Sequence, residues 1–361
     1  MVRSIADNHR RVGIAIRESC NELAATLVAA EFGRHPELEQ RYGSIGRQKS
    51  LEDAQFHLNY LASAVEADSP SLFQDYVAWA KVVLASRGVH EDDLAFHLEM
   101  MREAMQTVLP GDMHGLACQF VDAGRAALPT ADRQVPTFLI EQSPFGDLAR
   151  GYLQMLLSGE RQEACRLVLD AVAAGASVRD IYLHVFQRVL YEIGRLWQLN
   201  EINVAQEHFC TAATQLIMSQ LYTHIFRGKK PAGSMVATAV AGDLHELGVR
   251  MLADFFELDG WNTCYLGANT PHRDVIQTVI KSRATVLCVS ATISYHVHQV
   301  RALIDGVRQN PDAGKVIVLV GGYPFNVDPE LWRKVGANGF ARDAAEAVAL
   351  ARQFTGNPGT A

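Results

Sequence analysis

The chain reads as a multidomain α and α/β protein: an all-helical N-terminal domain, a four-helix bundle, and a doubly wound parallel sheet. Three observations predict this. Apolar residues recur at spacings of three and four through most of the first 226 residues, the mark of amphipathic helices. A stretch with three prolines, LPTADRQVPTFLIEQSPFG at 128–146, interrupts that period and reads as a linker. Beyond residue 233 short Val-rich runs alternate with helical segments, which is the grammar of a parallel sheet with helices on both faces.

In order, the first domain (1–128) contains the helical segments 8–32, 50–67, 71–86 and 91–109, with Gly88 and Pro110-Gly111 as punctuation. Ser50 followed by Asp53 resembles a capping arrangement and places a helix start there. After the linker (129–146), helices 147–158, 160–174, 177–198 and 202–226 have short connections. Neighbours joined so briefly run antiparallel, so residues 147–228 are expected to form a four-helix bundle. Past Gly228-Lys-Lys-Pro-Ala-Gly233, the segments 235–241, 262–267, 285–290, 316–322 and 338–342 are expected strands. Helices 246–259, 272–282, 296–309, 328–335 and 343–353 follow them in turn, giving an α/β domain over 233–355.

Composition narrows the function. Hydrophobic content of 48% and charged content of 20% are those of a globular chain. The longest apolar run, such as VIVLV at 316–320, is strand-length, and the N-terminus has no apolar leader segment, so neither a membrane span nor secretion is expected. The six cysteines at 20, 118, 165, 210, 264 and 288 form no CxxC pair, in keeping with reduced thiols in the cytoplasm. A net charge of −7 argues against direct nucleic-acid binding, which needs a basic surface.

The chemistry concentrates in GDLHELGVRM at 242–251, just after the first strand. In an open parallel sheet, ligands bind where the strands' carboxyl ends pass into helices. A neutral imidazole at that exit can ligate a metal, and a neighbouring carboxylate fixes its tautomer. Asp243 and His245 are placed for these roles, and Gly248 permits close approach of a bulky ligand.

Asp243-Leu-His245-Glu-Leu-Gly248 is followed after 41 residues by Ser290-Ala-Thr292, and after 28 more by Gly321-Gly322. This three-part spacing resembles the flavodoxin-like cobalamin (vitamin B12)-binding domain, whose pattern is DxHxxG, SxL and GG. The resemblance implies that His245 is the lower axial ligand of cobalt, displacing the cofactor's dimethylbenzimidazole base. It places Ser290 and Thr292 beside the nucleotide tail and leaves room for that tail at Gly321 and Gly322. Thr292 departs from the family's Leu.

In the expected bundle, Trp197 is followed after nine residues by Glu207-His208. This W-x9-EH pattern resembles the helical cap of cobalamin photoreceptors of the CarH and LitR type. There the Trp, Glu and His shield the upper ligand, typically the 5′-deoxyadenosyl group of adenosylcobalamin. The resemblance implies a non-enzymatic light sensor: photolysis of the cobalt–carbon bond would change a homo-oligomer's quaternary structure and signal to an effector the sequence does not identify. Gln198 stands where such regulators often carry a His, and no basic DNA-reading module precedes the bundle. The helical N-terminal domain resembles, in architecture, that of the photocobilins, which pair cobalamin with biliverdin. By that analogy His57, His97 and Tyr60 would meet a bilin, with Trp79 and His114 as further candidates and Cys20 or Cys118 as thioether sites. The alternative for this domain is dimerisation or docking. For the whole chain, the alternative is a corrinoid methyl carrier of a methyltransferase system. A mutase subunit would need a substrate barrel that this sequence lacks.

Overall fold

A computed structural model describes residues 2–132, 134–140, 142–226 and 233–356; most of the expected junction at 228–233 lies outside the described residues. Six helices form the N-terminal domain: α1 (Val2–Glu18), α2 (Cys20–Arg34), α3 (Glu37–Glu66), α4 (Pro70–Ser86), α5 (Glu91–Val108) and α6 (Gly111–Ala127). The segment expected as one helix over 8–32 breaks at Ser19, which caps neither helix with its side chain. The expected start at Ser50 is corrected: Ser50 and Asp53 lie inside α3, which begins at Glu37 and kinks at Gly43, where φ is +68°. Helix α6, missing from the sequence reading, packs on α4 and α5. Its three glycines dilute the helical period.

The linker lies along the next helical layer rather than free of it. The Glu192 carboxylate accepts from Thr137 Oγ1 at 2.9 Å and from the Phe138 N–H at 2.8 Å. That layer comprises α7 (Gly146–Leu157), α8 (Arg161–Ala173), α9 (Val178–Asp180), a π-helical turn (Ile181–Phe186), α10 (Gln187–Gln198), α11 (Val204–Gln220) and α12 (Tyr222–Ile225). Asn203 and Gln206 close a reciprocal capping box at the start of α11.

The sheet has five parallel strands: β1 (Ser234–Ala239), β2 (Asn262–Tyr265), β3 (Val286–Ser290), β4 (Ile317–Gly321) and β5 (Gly339–Ala341). Their order is β2-β1-β3-β4-β5, the flavodoxin-like doubly wound order with its switch point between β1 and β3. Helices α13 (Leu247–Leu258), α14 (His272–Lys281), α15 (Val297–Gln309), α16 (Tyr323–Val327), α17 (Leu331–Lys334) and α18 (Ala344–Thr355) complete it, with a 3-10 turn at Ser294–His296.

Strand periodicity explains how three domains share two cores. Successive side chains point to opposite faces. Met235 and Ala237 of β1, with Cys288 and Leu319, join α13, α18 and the helical layer in one apolar cluster. Val236, Leu287, Val318 and Val320 belong to a second cluster with α14, α15 and the N-terminal domain. The sheet therefore sits between the two helical regions.

Candidate functional site

In β1 the chain leaves the sheet at Ala239. The Val240 N–H donates to the Ser290 carbonyl at 2.9 Å, so the β1 and β3 exits are tied together. Gly242 then takes φ +86° and donates its N–H to Asn269 Oδ1 at 2.9 Å, a left-handed turn suited to glycine. This turn drives Asp243 into the protein, where it is fully buried.

Three nitrogens hold the Asp243 carboxylate. Oδ1 accepts from the His245 N–H at 3.0 Å and lies 2.8 Å from His245 Nδ1; Oδ2 accepts from the Thr292 N–H at 2.6 Å. Burial opposes its ionisation, but these donors, with the neighbouring His296 ring, outweigh it and keep the carboxyl well below the usual carboxylate range. The same bond raises the basicity of His245, against the effect of burial, and the Glu207 carboxylate adds to it. The His245 side chain stays 55% exposed. Because Nδ1 faces the buried carboxylate, Nε2 on the far side of the ring is the nitrogen open to an incoming metal.

Ser290 and Gly321 are paired neighbours in the sheet, in one row with Ala239 and Ala341. The structure thus brings the three sequence segments to one edge, on both sides of the switch point. Two details differ from expectation. Thr292 acts here through its backbone, by anchoring Asp243. The need for glycine at 322 arises within the chain: φ is +101° and a Cβ would lie 1.9 Å from the Ala291 carbonyl oxygen. At 321 a Cβ would meet the Ala341 carbonyl oxygen at 3.1 Å. By contrast a Cβ at Gly248 would meet nothing within 4 Å, which leaves open space on the first turn of α13.

Sequence reasoning missed two contributors. Glu246 accepts from Gln215 Nε2 of α11 at 2.6 Å and from Tyr265 Oη at 3.1 Å, tying the loop to the helical layer and to β2. His296, in the 3-10 turn, places Nδ1 3.7 Å from Asp243 Oδ2. No spacing rule pointed to either.

Trp197 lies at the end of α10 and faces the N-terminal domain, stacked on Trp79 at 6.3 Å and under Arg87 at 4.9 Å. Gln198 is buried, and its carbonyl accepts from Ser86 Oγ at 3.0 Å. Glu207 and His208 open α11; they bond to each other, and the His208 side chain is 75% exposed. Glu207 is thus the member of that trio whose charge reaches His245.

His57, His97 and Tyr60 do come together, as a packed cluster. The His57 and His97 rings are 4.9 Å apart, and Tyr60 stacks on Tyr76 at 3.6 Å. His57 Nδ1 and Tyr76 Oη share a 2.9 Å hydrogen bond, and burial, helped by His97, holds His57 well below its ordinary range. Burial and the charges of Asp243 and Asp75 push the Tyr60 phenol up, so this residue of α3 borders the loop site. Trp79 continues the cluster, and His114 stands in the first turns of α6. Cys20 and Cys118 are buried and their thiols raised by it, which does not favour a reactive thiolate.

Residues 233–349 match a family described as the B12 binding domain, and residues 148–222 match a second family of the same description. Dimethylamine corrinoid protein 3 of Methanosarcina acetivorans is 28% identical over 167 residues, 46% of this chain and 75% of that protein. A corrinoid protein of Desulfitobacterium hafniense is 22% identical over 56% of this chain and 95% of its own. Among solved structures, the monomethylamine corrinoid protein of Methanosarcina barkeri covers 58% of this chain and all of its own, with a TM-score of 0.53 and 22% identity, a likeness of fold. These relatives are named corrinoid proteins, whereas the sequence motifs pointed to a photoreceptor; cobalamin is common to both.

The donor set fits that group: a carboxylate-held imidazole with one open nitrogen, open space at Gly248, and a ring of exits at the switch point. The chain is a cobalamin-binding protein whose B12 binding domains span the helical layer and the sheet, with a further helical domain packed against both.

Proposed function

We propose that the chain is a corrinoid carrier: it would hold cobalamin through His245 and serve partner methyltransferases as a carrier of methyl groups. The observation that carries this reading is the Asp243–His245 pair, whose Nε2 points away from the carboxylate at the exit of β1, inside the B12 binding domain match, in a chain similar to a dimethylamine corrinoid protein. Bound cobalamin would supply a cobalt centre able to carry an alkyl group. Asp243 would keep the His245 proton on Nδ1 and so keep Nε2 as the ligand. Glu246 would hold the loop against α11. The helical layer, with Trp197, Glu207 and His208, would cover the bound group and keep water from it. On this reading the protein is a carrier, and its partners are other proteins.

A second reading, light sensing with adenosylcobalamin, is favoured by one observation. The N-terminal domain grips Trp197 of the W-x9-EH pattern and the adjoining Gln198, through Trp79 and Arg87 on Trp197 and Ser86 on Gln198. A bulky upper ligand lost on illumination would then alter contacts between domains, and a homo-oligomer could respond. Biliverdin in this reading would have to part the stacked Tyr60 and Tyr76.

Illumination of the protein loaded with adenosylcobalamin, followed by size-exclusion chromatography, separates the two. A carrier keeps its elution volume in dark and light; a light-dependent change in elution volume would replace the carrier reading with the sensor.

A further inference from the structure

Aromatic rings form a continuous stack through the junction of the three domains. Tyr295, in the turn after β3, lies 6.3 Å from Tyr60 of α3. Tyr60 stacks on Tyr76 of α4 at 3.6 Å, with the planes 14° apart. Tyr76 is 6.0 Å from Trp79, and Trp79 is 6.3 Å from Trp197 of α10, both pairs stacked. These centroid distances are those of rings in direct contact. At one end Tyr60 borders the loop site, since its phenol feels the Asp243 charge. At the other, the exposed side chain of Trp79 brings the stack to the surface.

Tyr76 differs from its neighbours in the stack. It is buried, and its Oη lies 2.9 Å from Nδ1 of the buried His57, within reach for proton transfer. Burial, helped by His97, holds His57 well below its ordinary range, so the ring is neutral and has room for one proton. The His97 ring stands 4.9 Å behind that of His57, and its Nδ1 is 3.3 Å from the buried Glu31. Among the described residues Glu31 Oε2 has no hydrogen-bond partner. A carboxylate with a spare oxygen therefore backs the two imidazoles and can offset a cation that forms there. A phenol that loses an electron becomes a strong acid, and here its proton has a nearby base to go to.

We propose that Tyr76 and His57 form a redox-active pair, in which the Tyr60–Tyr76–Trp79 stack carries one-electron oxidising equivalents from the loop site to the surface. A carbon- or oxygen-centred radical at the loop site takes one electron through the stack and a proton from solvent, and ends as a closed-shell molecule. Tyr76 supplies the electron; its O–H bond breaks and the proton passes to His57 Nδ1, leaving a neutral tyrosyl radical and an imidazolium. A thiol or another one-electron reductant that reaches Trp79 returns the electron, His57 returns the proton, and the pair is restored. Bound cobalamin would supply a cobalt–carbon bond whose even cleavage releases such radicals, so the pair would serve a carrier and a sensor alike.

The test uses the full chain without cofactor, so that it stands or falls apart from the carrier reading. Ruthenium tris(bipyridine) and persulfate are added, and a flash of light makes a one-electron oxidant in solution. Tyr191→Phe/Tyr323→Phe serves as the parent protein, because both of those tyrosines are exposed and react directly. Rapid freezing and electron paramagnetic resonance record the radical, with ring-deuterated tyrosine in the protein to separate tyrosyl from tryptophanyl signals. The pair predicts a tyrosyl radical that outlives that of free tyrosine, forms more slowly in heavy water, and is mostly lost in Tyr76→Phe. Trp79→Leu slows its formation. His57→Gln, whose amide accepts a hydrogen bond but takes no proton, lowers its yield. A tyrosyl signal in Tyr76→Phe equal to the parent's would overturn the proposal, as would an unchanged rate in Trp79→Leu or an unchanged yield in His57→Gln. Should a variant not fold by circular dichroism, the parent protein decides: radical formation at the same rate in heavy and ordinary water overturns the pair.

Discussion

Gly322 sits where the β4 exit crosses the β3 exit, and its positive φ and the near Ala291 carbonyl leave no place for a side chain. Gly322→Ala is expected to lower stability by about 3 kcal/mol or more, because strain at such a φ and a backbone clash act together. Urea denaturation of the cofactor-free protein checks this; a loss below about 1 kcal/mol would mean that the exits can separate freely. Some of the site was legible at this scale and some was not. The pairing of Asp243 with His245 could be read because an acid and an imidazole two apart at a strand exit are placed to meet. His296 and Glu246 could not, since their partners lie in other elements: Asp243, 53 residues before His296, and Gln215 in α11.

The helical layer is joined to the sheet domain by a buried pair at the π-helical turn. Tyr182 Oη donates to Asp254 Oδ2 of α13 at 2.8 Å, and burial pushes the Asp254 carboxyl up to about 6. A carboxyl raised in the folded state stabilises the fold fully below its unfolded pKa near 3.8 and loses that contribution as pH rises through about 6. Asp254→Asn, which still accepts from Tyr182, should match wild type near pH 4. It should exceed wild type by on the order of 2–3 kcal/mol above pH 7. Equal stability of the two proteins at pH 8 would contradict this reading of the interface. Strands β1, β3 and β4 were legible because short, largely buried Val-rich runs have few alternatives; of the helix expected at 328–335 only α17 forms, with α16 preceding it. Helix α6 was not legible, with glycines at 111, 115 and 124. Nor was the true start of α3, where a kink at Gly43 lets one helix continue through a plausible cap at Ser50.

Across the whole molecule, the sheet lies between two helical regions that also touch each other. The N-terminal domain bonds to the sheet domain through Ser63 and through Ser69, whose Oγ donates to Asp328 at 2.7 Å. It reaches the helical layer through Ser86 and Arg87. Any motion that parts the helical layer from the sheet domain must therefore work against this domain. Amphipathic periodicity shows that a helix has a buried face, not what covers it, so this docking could not be read from the chain. Among the described residues no helix is long and apolar enough to cross a membrane.

His245 Nε2 is the nitrogen proposed to hold the cobalt of bound cobalamin. Protein labelled with ¹⁵N-histidine and loaded with unlabelled cob(II)alamin tests it most directly by electron paramagnetic resonance. Ligation by His245 predicts that each cobalt line is split into a doublet by ¹⁵N, and that His245→Ala abolishes the doublet. A triplet from the cofactor's own ¹⁴N base in the labelled wild-type protein would contradict the account.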